Sequence, residues 1–320
     1  MNTPIAPAFD QSVSQNGYAW WYLDAISDDG RYGLTVIAFI GSVFSPYYAW
    51  ARKRGLGDPL AHCAINVALY GPRGRWCMTE RTGKSVLREP ESLHIGPSSL
   101  RWDGDSLIYD IKEWAVPIPR RIGGQIRVHP RVVGGQRTAL DPDHRHHWTP
   151  FFPAARVELS MQHPDLNWSG HGYFDHNSGS EPLEDCFDNW HWSRAETSAG
   201  PVILYDSLYR SGERSSLALS FSRNGEQNSL PLPPAAALPH SRWGVARATQ
   251  SDDRRAQIKS VWEDTPFYSR ELINTRLCGE RVTAVHESLS LRRFSKLWVQ
   301  PMLPFRMPRR TGKLVKQRQN

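Results

Sequence analysis

The apolar and polar positions from His146 to Asp175 read as two strands joined by a turn. Val157, Leu159 and Met161 alternate with Arg156, Glu158 and Ser160, the pattern of a half-buried strand. His163-Pro164-Asp165-Leu166-Asn167 interrupts it with turn residues, and a second strand follows from Trp168. On that strand Trp168, Gly170, Gly172 and Phe174 share one face, and Ser169, His171, Tyr173 and Asp175 the other. If the chain is extended from its start, His146 and Trp148 share a face as well. A carboxyl, an imidazole, a phenol and an indole could then converge on one pocket. A solvated strand face beside a His-rich loop is the plainer alternative.

The same patterning predicts strands over most of the chain. Ala19–Ala25 and Tyr32–Ile40 flank the turn Ser27-Asp28-Asp29-Gly30, a strong hairpin signal. Ser45–Arg52 reads as an aromatic loop or short helical turn. Strands are expected at Cys63–Tyr70, Arg75–Glu80 and Ser106–Glu113, with weaker candidates over Leu93–Arg101 and Gln125–His129. Beyond an acidic linker, Gly179–Asp188, the opening recurs at an offset of 170. Trp190-His191-Trp192-Ser193-Arg194-Ala195 stands at the place of Trp20-Trp21-Tyr22-Leu23-Asp24-Ala25, and Val202–Tyr205 at that of Tyr32–Thr35. Further strands are expected at Ser215–Ser222, Trp243–Ala248, Gln257–Glu263, Phe267–Asn274 and Arg281–Leu291, with a proline-rich loop at Pro231–Pro239. The expected fold is all-β: two tandem lipocalin-like antiparallel barrels, residues 1–178 and 179–298, followed by a tail, 299–320.

Composition adds two points. The 13 Trp and 11% aromatic content suit an apolar ligand site or a large core. The net charge of +7 is concentrated at the end. After Glu287 there are nine Lys and Arg and no acid; the remaining 30 basic residues meet 32 acidic ones. Interleaved Leu297, Trp298, Met302, Leu303, Phe305 and Met307 make that segment either a face for an anionic membrane or a solubilising tail. Without a recognition motif, the charge does not point to nucleic acid.

The four cysteines, Cys63, Cys77, Cys186 and Cys278, lack zinc-ligand spacing and read as reduced core residues of an intracellular protein. The histidines His144, His146, His147, His171 and His176 match no standard metal site, so no metal is expected. The first residues lack the basic and apolar regions of a secretory signal, and the longest apolar run, Tyr32–Phe44, is too short to span a bilayer.

Trp20-Trp21-Tyr22, Phe44-Ser45-Pro46-Tyr47-Tyr48, His146-His147-Trp148, Gly170-His171-Gly172-Tyr173-Phe174-Asp175 and Asp188-Asn189-Trp190-His191-Trp192 occur together and in order. In these segments the chain resembles, over nearly its whole length, the carotenoid 1,2-hydratases (hydroxyneurosporene synthases) of purple bacteria. The resemblance implies tandem lipocalin-type barrels and addition of water, without cofactor, across the terminal C1=C2 bond of an acyclic carotenoid. It places the acid–base aspartate on Asp175 and supporting residues on His146, Trp148 and Tyr173. Taken with the basic, aromatic tail, this leads us to expect peripheral attachment to the cytoplasmic side of the photosynthetic inner membrane.

The chemistry fits those residue types. An alkene is a poor base, and protonation at C2 leaves a tertiary cation at C1. A buried carboxylic acid can supply the proton, because burial disfavours its charged form. Trp148 and Tyr173 offer π faces to the cation. His146 either activates the water or hydrogen-bonds Asp175. A polyene carrier without chemistry, or a cyclase or pericyclase of the same fold, is the alternative. Asp188, Trp190, His191 and Tyr205 could form a second site, though the repeat makes a structural role the better expectation.

Overall fold

The computed structural model describes residues 7–311. Strands account for 56% and helices for 9%, so the protein is all-β, built of two lipocalin-like antiparallel barrels in tandem. No helix among the described residues is long and apolar enough to cross a membrane.

The first compact unit comprises residues up to 139, 145–182 and the segment from 301; the second comprises 140–144 and 183–300. In the first, the central strands run in the order Arg75–Arg81, Cys63–Tyr70, Gly33–Ile40, Tyr18–Ser27, Leu166–Gly179, His146–His163 and Arg121–Val132. The sheet continues through Leu107–Trp114, Ser98–Trp102, Ser92–Ile95 and Val86–Glu89. It curls until its arms meet: Val116 N–H donates to Trp76 O at 3.0 Å, and Arg81 pairs with Glu113 at 2.7 Å. The enclosed core includes Trp21, Leu23, Val36, Ile65, Val67, Tyr109, Val128, Phe152 and Phe174.

The second unit repeats the order of those seven central strands. Gln227–Ser229, Arg214–Phe221, Gly200–Tyr209, Phe187–Thr197, Glu280–Ser290, Tyr268–Leu277 and Gln257–Asp264 are neighbours in that sequence. The offset-170 repeat thus corresponds to one strand order used twice. In each unit the repeated aromatic strand pairs with the strand that closes the unit.

Several elements differ from the sequence reading for visible reasons. Leu93–Arg101 divides into two strands at Gly96-Pro97, where Gly96 takes φ +64°. Arg121–Val132 is a twelve-residue strand whose glycines and arginines had masked its length. Of the expected strand Trp243–Ala248, only Arg247 and Ala248 pair, in a strand running to Gln250. Its partner, Ala235–Leu238, lies inside the proline-rich loop. None of the four cysteines is in a disulfide; Cys63 and Cys77 are core residues, but Cys278 is exposed at a turn, φ +53°. The basic segment packs as far as residue 311. Leu303 and Met307 are buried, Arg309–Arg310 pairs in parallel with Arg75–Arg81, Arg309 pairs with Glu80, and Arg306 lies 4.3 Å over Trp76. Lys313, Lys316 and Arg318 lie outside the described residues.

Candidate active site

The site strands are the longest in the chain, His146–His163 and Leu166–Gly179, joined by a tight turn at Pro164-Asp165. Pro150 and Pro153 withhold ladder donors, and the pairing register shifts between Pro150 and Phe152 and again before Ala155. The second strand is sandwiched between the first and Tyr18–Ser27. Register sets Asp175 opposite Tyr22 and Tyr173 opposite Asp24 on one side, and Asp175 opposite Pro150 on the other. The alternate residue Phe174 points into the barrel core. Asp175, Tyr173 and Trp148 therefore occupy the opposite face of this strand pair, and all three are buried.

Glycine makes the close strand approach possible. A Cβ on Gly170 would sit 1.9 Å from Ile26 O, and one on Gly172 2.3 Å from a Val157 methyl. Tyr18–Ser27 can lie this close to the site strand only because Gly170 lacks a side chain.

Three of the four expected residues form one hydrogen-bonded cluster. The Trp148 indole N–H donates to Asp175 Oδ2 at 2.8 Å and to the Tyr173 hydroxyl oxygen at 3.0 Å. The Tyr173 hydroxyl donates to the same Asp175 Oδ2 at 2.7 Å. Burial first, then the Asp175 carboxyl, push the Tyr173 pKa well above the ordinary phenol range, so Tyr173 keeps its proton and acts as a donor. Two donors converging on one oxygen orient the carboxyl.

His146 takes different partners. It is fully buried; Tyr18 OH lies 2.9 Å from Nδ1 and Glu181 Oε1 lies 3.3 Å from Nε2. With Nε2–H donating to Glu181, Nδ1 accepts from Tyr18. The ring sits opposite Gly179, where a Cβ would come within 2.8 Å of Nδ1. His171 shares the parity of Asp175 but lies four residues back along the strand, 3.6 Å from Asp28. His176 faces the core beside Trp21, and burial lowers its pKa to about 3, so it is a neutral core histidine.

In the second unit, Trp190 packs edge-on against Tyr205 at 5.8 Å, whereas His191 bonds Ser288 at 2.9 Å and stacks on His286. Trp192, the counterpart of Tyr22, stands opposite Glu287, as Tyr22 stands opposite Asp175. Glu287 is paired with Arg270, which neutralises it. Sequence reasoning overlooked Asp24. It is wholly buried on the face of Asp175, and the Tyr22 hydroxyl donates to its Oδ2 at 3.3 Å. The signal was present in the alternation Trp20, Tyr22, Asp24.

Fold and site together define a tandem lipocalin-like protein with a buried carboxyl held by an indole and a phenol in its first unit. The carotenoid hydratase CrtC family model matches residues 36–316, and the chain belongs to that family. It is 54% identical to an acyclic carotenoid 1,2-hydratase of Thiocapsa roseopersicina over 96% of this chain and 76% of the relative. To the enzyme of that name from Cereibacter sphaeroides it is 40% identical, over 87% and 99%. Among solved structures, a putative AttH from Nitrosomonas europaea aligns with a TM-score of 0.61 at 13% identity, over 89% of this chain and 96% of the other. Kievitone hydratase from Nectria haematococca aligns at 0.51 and 11% identity, over 90% and 94%. These two share the fold. The chain is an enzyme of the hydro-lyase class.

Proposed function

We propose that this protein hydrates the terminal C1=C2 bond of acyclic carotenoids such as neurosporene and lycopene, giving a tertiary alcohol at C1. The observation that carries the reading is the buried Asp175 carboxyl with both Trp148 and Tyr173 donating to one of its oxygens. The proton for C2 is carried on the other oxygen. Protonation makes a tertiary cation at C1, and the rings of Trp148 and Tyr173 shelter it, each worth about 2 kcal/mol when water is excluded. His146, held between Tyr18 and Glu181, is a positioning residue for the end of the strand pair. Nothing in this scheme uses a metal or cofactor.

Purified protein given lycopene in H2(18)O should yield an alcohol carrying the label, and prior treatment with EDTA should leave the rate unchanged. An unlabelled hydroxyl would rule out water as the nucleophile. Loss of activity restored by one particular metal would refute the metal-free scheme.

An apolar polyene resides in lipid, and we propose that the protein meets it on an anionic membrane surface at the cytoplasmic side of the inner membrane. The support is a patch in the second unit. Leu297, Trp298 and Trp243 are exposed, Trp298 stacks on Trp243 at 6.4 Å, and Arg293 lies 5.8 Å over Trp298, with Arg292 and Lys296 exposed nearby. Exposed aromatics ringed by cations suit an interfacial surface. Deleting the chain from Pro308 would also remove Arg309 from Glu80, so point changes are the cleaner probe. Leu297→Ala with Trp298→Ala should weaken binding to phosphatidylglycerol vesicles on the order of tenfold. Wild-type binding should fall with salt. Equal binding by both proteins at low salt would count against the patch.

A further inference from the structure

Asp175 is not the only carboxyl on its face of the sheet. Asp24 is fully buried there, directly opposite Tyr173, while Asp175 is directly opposite Tyr22. The two carboxyls are thus diagonal neighbours on one face of adjacent antiparallel strands, a relation that puts Cα atoms about 7–8 Å apart. Their two phenols stand between them: the Tyr22 and Tyr173 rings meet edge-on at 6.2 Å, each hydroxyl donating to the aspartate two residues along its own strand. The motif Tyr-x-Asp is therefore used twice, antiparallel, as Tyr22-x-Asp24 and Tyr173-x-Asp175. The tandem unit does not keep the pair: Arg194 stands where Asp24 stands, and Glu287, opposite Trp192, is paired with Arg270.

Adding water to an alkene needs an acid on one carbon and an acceptor for the water proton at the other. A buried carboxyl is expensive to retain without a use, and a pair of them on one face is how hydrolytic sites divide acid and base work around one water. We propose that Asp24 is the general base of the hydration, which rests on the reading of Asp175 as its acid. The alkene π pair takes the proton from the Asp175 carboxyl, forming C2–H and leaving Asp175 as carboxylate and C1 electron-deficient. A water lone pair forms the C1–O bond, and the water proton passes to the Asp24 carboxylate. The cycle closes when that proton returns to Asp175, and Tyr173, opposite Asp24 and already donating to Asp175, is the group placed to hand it over.

The test is Asp24→Asn in D2O with lycopene, scoring alcohol formation and deuterium in recovered substrate separately. Asp175 still protonates C2 in this variant, but the cation is captured poorly and collapses back to alkene. Hydration should fall at least about 100-fold, while recovered lycopene gains deuterium at C2. Asp24→Glu should recover part of the hydration. Asp175→Asn should show neither hydration nor exchange; if it hydrates normally, the acid assignment fails before the base assignment is reached. Asp24→Asn hydrating at the wild-type rate, or losing exchange together with hydration while folded, would overturn the proposal.

Discussion

Asp175→Asn should lose at least about a thousandfold in hydration rate, near the upper range for removal of one acid–base group, and still fold and bind the polyene. Asparagine keeps the size of the side chain and an oxygen able to accept from Trp148 and Tyr173, which hold Oδ2 at 2.8 and 2.7 Å. The variant cannot carry an acidic proton, so no cation forms at C1. In D2O the wild-type product should gain one non-exchangeable deuterium at C2, and the variant should return unlabelled substrate. Circular dichroism and quenching of tryptophan fluorescence by the polyene separate lost chemistry from lost fold or binding. A folded Asp175→Asn protein turning over at the wild-type rate would remove Asp175 from the mechanism.

Much of this site was legible because a strand has only two faces. Period-two reading placed Tyr173 with Asp175 and His146 with Trp148, and the structure keeps both pairings. Parity does not give distance along the strand. Asp175 pairs with Pro150, so Trp148 is two residues away along its strand, about 7 Å, and its long indole spans the step. His146 is four residues away, about 13 Å, and finds Tyr18 and Glu181 instead. Register decides between these cases, and here it depends on bulges at Pro150–Ala155 that change the count between the strands. Asp24 escaped notice for a related reason. Its partner across the sheet, Tyr173, lies 149 positions away, and only the closing pairing of the unit brings them together.

The order of the strands was partly legible too. The recurrence of Trp20–Ala25 as Trp190–Ala195 marked the strand that each unit closes on. The packing of Pro301–Arg310 on the first unit was not, because beside the buried Leu303 and Met307 much of the contact is made by arginines. Composition presents these as free charge, whereas Arg306 lies on Trp76 and Arg309 is spent on Glu80 and the Ala61 carbonyl.

Gly170→Ala should be the most destabilising small change in the chain's first unit, costing about 3 kcal/mol or more. The added Cβ would meet Ile26 O at 1.9 Å, Ile26 C at 2.7 Å and the Ser27 Cα at 2.8 Å. All three are backbone atoms in a strand fixed on both sides, by Gly33–Ile40 and by Leu166–Gly179, so none can rotate aside. Relief requires the Tyr18–Ser27 strand to move away near Ser27, loosening the pairing that sets Tyr22 opposite Asp175 and Asp24 opposite Tyr173. Gly172→Ala is the control. Its closest contact is a Val157 side-chain methyl at 2.3 Å, and the next is the Asp24 carbonyl at 3.0 Å, so a rotamer change absorbs most of the overlap. Thermal unfolding should place Gly170→Ala on the order of 10 °C below wild type and Gly172→Ala between the two. Activity of Gly170→Ala should fall with the folded fraction, unlike Asp175→Asn, which loses turnover with its fold intact. Equal melting temperatures for Gly170→Ala and wild type would mean that the two strands do not approach as closely at Ile26 as described.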